Sequence, residues 1–381
     1  MNSIELFAGI GGFRIACEDL KIKTIWANDL DMKAAKVYSG NWNDGSFNFG
    51  DIWTLIDKVP RHDLLTGGFP CQPFSSAGKK QGLRDPRGTL FQAIIEIIKK
   101  NEPKYFVLEN VKRLLSMEDG QHFATIIEAL SSLGYLVEWR LLNAINFGLP
   151  QNRERIIIIG TKSSDNISSY LLSNNDTNNI TEKIFNKISN HNSWMDITKH
   201  NKYFKNWGLA FNGKFISDEI SLFSDALHSV KLIEILEDNV NDSFFFQEDT
   251  LNRLKSSIKV NRYYNGVQII YNQSGGARMG YTIFGTGGIA PTLTSSSSRH
   301  YERYLVGDKF RRLTNVEYAR IQGFPDQHCS FVTPYDQYKL YGNAVPPPLV
   351  KWVINQIINS NVATFSNRII QTELFYEQRK T

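Results

Sequence analysis

The chain has 381 residues, 41% of them hydrophobic and 21% charged, with a formal net charge of +5. That is enough for a full core and two domains, and its three cysteines, Cys17, Cys71 and Cys329, exclude a disulfide framework and a Cys/His zinc site, being odd in number, far apart and free of CxxC spacing. No basic stretch followed by an apolar one opens the chain and no apolar run approaches a membrane span, and the few scattered cysteines suit a reducing cytosol. The charge is uneven, since residues 251–320 hold eleven Lys/Arg against three Asp/Glu. That block reads equally as a solvated face or as a surface for a polyanion.

In chain order, the first element is a strand, "SIELF", followed by a glycine-rich turn into a helix, "AGIGGFRIA". Gly9 and Gly11 allow a sharp turn and close approach of a ligand, and the helix start offers unpaired N–H groups. A second strand, "TIWAN", leads to Asp29, twenty residues after Gly9. A carboxylate there accepts both hydroxyls of an adenosine ribose, or else caps the helix "MKAAKVY". The dinucleotide pattern GxGxxG requires a third glycine where this chain has Arg14, so an adenosine cofactor without a pyrophosphate fits better.

The strand "DLLTGG" runs into "GFPCQPFS". Prolines on both sides of Cys71 restrict the backbone and aim one side chain, although a buried structural cysteine is the ordinary alternative. An apolar helix over Leu90 to Ile98 follows, then the strand "YFVLEN", which ends on Glu109 and Asn110 at the same sheet edge as Cys71. Glu109 is a candidate partner for a nucleophile there, or a helix cap. Phe123, Ile126, Ile127, Leu130 and Leu133 share a helical face, and the strands "LVEWRLL" and "RIIIIGT" come next. In "PQNRERIIIIG", Arg153 and Arg155 stand two apart and project to one face, either into solvent or toward an anionic or carbonyl-bearing ligand. The alternation of strand and helix predicts an α/β fold with a mixed, mostly parallel sheet, and in such sheets ligands sit at the carboxyl ends of the strands.

From about 162 to 206 the composition turns to Asn, Ser and Asp, marking a boundary or surface insertion, and 207–335 reads as a second, irregular domain rich in Gly, Tyr, Arg and Ser. After "NAVPPP", the stripe of Leu349, Trp352, Val353 and Ile357 predicts a helix that packs back on the first domain.

Taken together, "ELFAGIGGFRIA", "NDLD", "GDI", "GFPCQPFS", "RGTLF", "ENV", "QNRERI", "RRLTNVEYARIQGFP" and "YGNAVPPPLV" resemble, in order, nine motifs of the DNA (cytosine-5) methyltransferases. The resemblance covers the first 160 residues and about 309–360. It implies a Rossmann-like methyltransferase fold, with a catalytic domain of residues 1–165 completed by 336–381 and a smaller target-recognition domain over 166–335. It also implies S-adenosyl-L-methionine as cofactor, with no metal. Phe7, Gly9, Ile10 and Gly11 would cradle its methionine part, Asp29 its ribose and Leu30 and Asp51 its adenine. Ile52, Pro70, Leu90, Asn343 and Val345 would complete the pocket.

By the same resemblance, Cys71 attacks C6 of a flipped-out cytosine, Glu109 bonds the N3 edge of the ring, Arg153 reaches its O2 side and Arg155 supports it. Gln72, Ser75, Arg278, Thr292, Leu293, Arg299 and Arg303 are the implied DNA contacts. The partner is duplex DNA, with methylation of a short target in a bacterial restriction–modification system and a cognate endonuclease acting independently. A monomer is expected, with no membrane association. Two alternatives are a tRNA cytosine-5 methyltransferase, which the basic block disfavours, and a catalytically silent DNA-binding homologue, which Cys71, Glu109 and Arg153 disfavour.

Overall fold

The computed structural model describes residues 1–70, 89–162, 167–169, 178–220, 230–255, 257–272, 282–295, 303–358 and 363–365. Its first half alternates β1 (Asn2–Leu6), α1 (Gly12–Asp19), β2 (Lys23–Asp29), α2 (Met32–Asn41), β3 (Phe47–Phe49), α3 (Ile52–Leu55), β4 (Leu64–Gly68), α4 (Thr89–Asn101), β5 (Tyr105–Val111), α5 (Gln121–Ser131), β6 (Tyr135–Asn143) and β7 (Glu154–Lys162). Then come β8 (Ile167–Ser169), α6 (Asn178–Ser189), β9 (Met195–Asp196), β10 (Trp207–Phe211) and β11 (Lys214–Asp218). The strands assemble in the order β3-β2-β1-β4-β5-β7-β6-β10-β11-β9. Strands β1 to β5 are parallel, while β7 is inserted antiparallel between β5 and β6. Buried on both faces, the central strands are continuous apolar runs such as "RIIIIG" in β7, as a doubly covered sheet requires.

The expected boundary near 165 is corrected by the sheet itself. Strand β10 pairs with β6, and the β10–β11 hairpin, turned by Asn212 and Gly213 in positive φ, carries the large sheet on through Asp218. The second unit therefore begins beyond that hairpin. It comprises α7 (Glu248–Lys255), β12 (Ile258–Tyr264), β13 (Val267–Asn272), β14 (Thr282–Phe284), β15 (Arg303–Val306) and β16 (Lys309–Arg311), whose strands form a five-stranded sheet in chain order.

The chain then returns through α8 (Asn315–Gln322), α9 (Pro334–Asn343) and α10 (Pro347–Ile358), and ends its described part with β17 (Ala363–Phe365) beside β8. Helix α8 starts on a capping box of Thr314 and Glu317, and Glu317 also pairs with Arg311 in full burial. As its apolar stripe predicted, α10 buries Leu349, Val353 and Ile357 against Phe13, Ala16 and Cys17 of α1 and against Ile157 of β7. One core also spans both units, joining Ile10 and Val37 to Val267, Phe284, Leu293, Tyr318 and Leu340. Among the described residues, no helix is long and apolar enough to cross a membrane.

Candidate active site

A cavity of about 470 Å³ opens at the carboxyl ends of β1, β2, β4 and β5. Its wall includes Phe7, Gly9 and Ile10 from the β1–α1 turn, Asp29 and Leu30 after β2, and Asp51, Ile52, Pro70 and Leu90. Glu109, Arg153 and Arg155 stand on it too, as do Asn343 and Val345 between α9 and α10.

Asp29 does not cap α2. That cap is Asp31, whose carboxylate accepts from the N–H groups of Lys33 and Ala34. Asp29 instead turns into the cavity, its Oδ2 accepting from Gly9 N at 2.7 Å and its Oδ1 from Asp31 N at 2.8 Å. Each oxygen keeps acceptor capacity for a ligand hydroxyl. Burial raises the Asp29 pKa above its ordinary value, while the backbone donors pull it down. Beside it Leu30 is 65% exposed, an apolar side chain held at the cavity rim with no core to join. Asp51 caps α3 by accepting from Trp53 N at 3.0 Å, and Ile52 is buried below it. Phe7 adopts φ 53°, a left-handed conformation uncommon for a side chain of that size and characteristic of functional turns.

Gly11 is the exception among the expected cofactor residues, because it does not reach the cavity wall. It caps α1 at φ 82°, and a Cβ there would stand 2.3 Å from the Trp42 ring, so the glycine serves packing. Trp42 in turn lies under the guanidinium of Arg14, which ion-pairs with Glu18 and Asp44. The residue that breaks the dinucleotide pattern thus ties α1 to the loop before β3. Sequence reading also missed Glu5, a buried carboxyl on the cavity wall that accepts from Phe13 N and Tyr38 Oη. Burial pushes its pKa up to about 8. Its signal was present in "SIELF", a charged residue within an otherwise apolar strand.

At the other end of the cavity, Glu109 belongs to β5 and caps no helix. It stands opposite Gly68 in the β4–β5 ladder, and its Oε1 meets Arg155 Nε at 2.7 Å with both side chains largely buried. Because β7 runs antiparallel, its first residues lie beside the end of β5, with Arg155 opposite Val111. Asn110 donates to Phe69 O at 2.9 Å and so pins the segment that leads toward Cys71. Cys71 itself, with Gln72, Ser75, Arg278 and Arg299, lies outside the described residues.

Arg153 is 1% exposed, and its Nη atoms are committed to carbonyls. Nη1 donates to Leu293 O at 2.9 Å, and Nη2 to Gly342 O at 3.0 Å and Ala344 O at 2.8 Å. Burial and the neighbouring Arg155 push its pKa down to about 9, which leaves it charged at neutral pH. Its buried Nε has no hydrogen-bond partner among the described residues. Arg153 thus joins the start of β7 to both the cavity wall and the second unit, and the arginine beside Glu109 is Arg155.

The same joint corrects the expectation that Leu293 touches DNA. Its side chain is 1% exposed in the core, and its N–H donates to Gln151 Oε1 at 3.0 Å. Thr292 donates its hydroxyl to Asn152 O, while Asn152 N and Ala290 N donate to Ala290 O and Pro150 O. A Cβ on Gly342 would stand 2.3 Å from Thr294 O, so the wall of the cavity and the second unit meet backbone to backbone. Arg303, half-buried at the start of β15, is not on the cavity wall.

This fold, with its cavity at the strand ends, is that of the S-adenosylmethionine-dependent methyltransferases. The family model for C-5 cytosine-specific DNA methylase matches residues 1–359, and the chain belongs to that family. Among its relatives are restriction–modification enzymes. The type II methyltransferase M.HaeII of Haemophilus aegyptius is 34% identical over 366 residues, covering 95% of each chain. M.HpaII of Haemophilus parainfluenzae is 33% identical over 375 residues, covering 91% of this chain and 86% of that one. The solved structure of the S. pombe Dnmt2 methyltransferase superposes with a TM-score of 0.64 at 18% identity, over 94% of this chain and 99% of that one.

Proposed function

We propose that this protein methylates C5 of a cytosine flipped out of a short duplex DNA target, with S-adenosyl-L-methionine in the cavity and Cys71 as nucleophile. One observation carries the reading. The Glu109–Arg155 pair faces the cavity opposite Gly68, three residues before Cys71, so a carboxylate and a guanidinium converge where that loop leaves the sheet.

The chain's residues fit the cofactor. Asp29 offers acceptors to ribose hydroxyls, Leu30 an apolar surface to the adenine and Asp51 an acceptor to its amino group, while Asn343 and Val345 close the far wall. No group among the described residues could hold a metal ion. Bound S-adenosylmethionine supplies an electrophilic methyl group on a sulfonium. Cys71, as thiolate, adds to C6 and makes C5 nucleophilic. An ordinary thiol of pKa ~8.5 is mostly protonated at neutral pH, so its proton must leave before or during attack. Glu109, held by Arg155, bonds the N3 and amino edge of the ring and stabilises the charge that develops there. Arg153, whose role by the family resemblance lies on the O2 side of the ring, stands on the cavity wall with its Nη atoms holding carbonyls and its Nε–H buried. Once C5 carries the methyl group, transfer of its proton to water and cleavage of the C6–S bond, which expels the Cys71 thiolate, restore the C5=C6 double bond and the aromatic ring.

The second unit, with Arg278, Arg299 and Arg303 from the basic block, reads the target. The enzyme works as a bacterial monomer in the cytoplasm, beside an independent endonuclease. The test is methyl transfer from labelled cofactor to duplex DNA and to tRNA, with Cys71→Ala as control and 5-fluorocytosine duplex as trap. Transfer to duplex and a covalent adduct are expected. Full activity in Cys71→Ala, or transfer to tRNA alone, overturns the reading.

A further inference from the structure

We propose that His328 is a positioning residue for the cofactor, its imidazole holding the β1–α1 turn in the shape that receives the methionine part. The proposal rests on the reading above that S-adenosyl-L-methionine occupies the cavity.

The turn needs holding. It lies between β1 and α1, outside the regular bonding of either, and within five residues Phe7, Gly9 and Gly11 adopt φ 53°, 54° and 82°. Such a run of left-handed conformations persists only where its surroundings determine it. Ala8 N donates to Asn28 O at 2.9 Å, Gly9 N to Asp29 Oδ2 at 2.7 Å and Gly11 N to Ala8 O at 2.9 Å. Those bonds fix residues 8, 9 and 11 from β2 and from within the turn. Ile10, which stands on the cavity wall between the two glycines, is tied instead to a residue 318 positions away, its carbonyl lying 2.6 Å from His328 Nε2. A carbonyl only accepts, so Nε2 carries the proton. Burial lowers the His328 pKa below the ordinary imidazole value, against the pull of this bond, and the ring is neutral at pH 7.

The ring is fixed as firmly as the turn. It is buried, with the Phe324 ring centred 4.9 Å away and the Trp42 ring meeting it edge-on at 5.6 Å. Its backbone N–H donates to Pro325 O at 3.0 Å, and its carbonyl accepts from Asn41 Nδ2 of α2 at 2.9 Å. Cys329 N donates to Tyr341 Oη at 3.3 Å, and Tyr341 leads directly into Gly342, Asn343, Ala344 and Val345 of the far wall. Residues 328 and 329 therefore tie the turn on one wall to the chain that supplies the other. The walls also meet directly, since a Cβ on Gly12 would stand 2.4 Å from Val345 O.

These surroundings are aromatic, and an apolar ring would fill them without the desolvation cost of an imidazole. What the imidazole adds is the donor to Ile10. Without it the turn relaxes in the empty cavity, and the cofactor has to restore the wall on binding. Loss of one buried hydrogen bond then weakens affinity by roughly 5–30-fold. The methyl transfer itself is unaffected once the cofactor is bound, so KM rises while kcat stays within about twofold.

Calorimetric titration with S-adenosylhomocysteine reads the affinity, and methyl transfer from labelled cofactor to unmethylated bacteriophage DNA reads KM and kcat. His328→Phe keeps a ring between Phe324 and Trp42 without the donor. His328→Gln returns an N–H at the Nε2 position, and His328→Asn carries its amide short of it. His328→Phe and His328→Asn are expected to bind S-adenosylhomocysteine about 5–30-fold more weakly with KM raised to match, and His328→Gln to stand within about threefold of wild type. Equal affinities in His328→Gln and His328→Asn overturn the proposal, whether both match wild type or both are weakened, as does a fall in kcat at unchanged KM. Should His328→Phe fail to fold, the comparison of the two amides decides alone. A wild-type protein that does not bind S-adenosylhomocysteine sinks the cofactor reading, whereas a wild type that binds it no better than His328→Asn does sinks His328 alone.

Discussion

Replacing Arg153 by methionine keeps a long apolar stem but deletes every donor at the joint between cavity and second unit. Three carbonyls, those of Leu293, Gly342 and Ala344, then lose their partner in a region closed to water. Each buried acceptor left unpaired costs about 1–2 kcal/mol, and removal of a buried charge offsets part of the sum, leaving a net loss of about 2–4 kcal/mol. For one cooperative unit of this length, at roughly 2 cal/mol/K of unfolding entropy per residue, that loss corresponds to a melting temperature lower by about 3–5 °C. Differential scanning calorimetry reads it directly. The affinity for S-adenosylhomocysteine should weaken as well, because Asn343 and Val345 flank the two carbonyls that are released. A melting temperature within 1 °C of wild type would refute the assignment of Arg153 as a joint.

Two further outcomes follow from the cavity wall. Asp29→Ala removes the acceptor assigned to the ribose, and loss of a hydrogen bond to a charged group, about 1.5–3 kcal/mol, should weaken S-adenosylhomocysteine by roughly 10–150-fold in a calorimetric titration; unchanged affinity would remove Asp29 from the site. Glu5 has its pKa raised from 4.5 to about 8, so between those values the folded chain holds a proton that the unfolded chain has released. Its contribution to stability is therefore full below about pH 4.5 and is lost as pH rises toward 8. Glu5→Gln should flatten the melting temperature between pH 5 and 8, and an equally steep profile in the variant would show that another group is responsible.

Most of the catalytic sheet was legible because its strands are continuous apolar runs closed by a polar residue. Asp29 and Glu109 could be picked out because each ends or nearly ends such a run, at the edge where ligands bind. Strand β3, only "FNF", is too short to show a period. The hairpin of β10 and β11 has a readable Asn212–Gly213 turn, but nothing local says which sheet a hairpin will join, and so it was assigned to the wrong unit. The joint itself is hidden for one reason: Arg153 donates to backbone carbonyls up to 191 residues away, while Leu293 gives its own main-chain N–H and C=O to the side chains of Gln151 and Arg153, and main-chain groups leave no mark in the sequence. That Arg155 pairs with Glu109 follows from β7 running antiparallel beside β5, which residue spacing does not encode.

The joint around Arg153 has a consequence for how such a chain can diversify. Arg153, Gln151 and Asn152 meet the second unit through the main-chain atoms of Ala290 and Leu293, and only Thr292 contributes a side chain from that side. At this joint the units are held by atoms that every amino acid possesses, alongside the apolar side chains of the core they share, so outward-facing residues of the second unit can change without loosening the seam. On the proposed reading, the second unit is in this sense an interchangeable head. A chimera that keeps residues 290–294 and replaces the segments flanking them should inherit a new target while its chemistry stays the same.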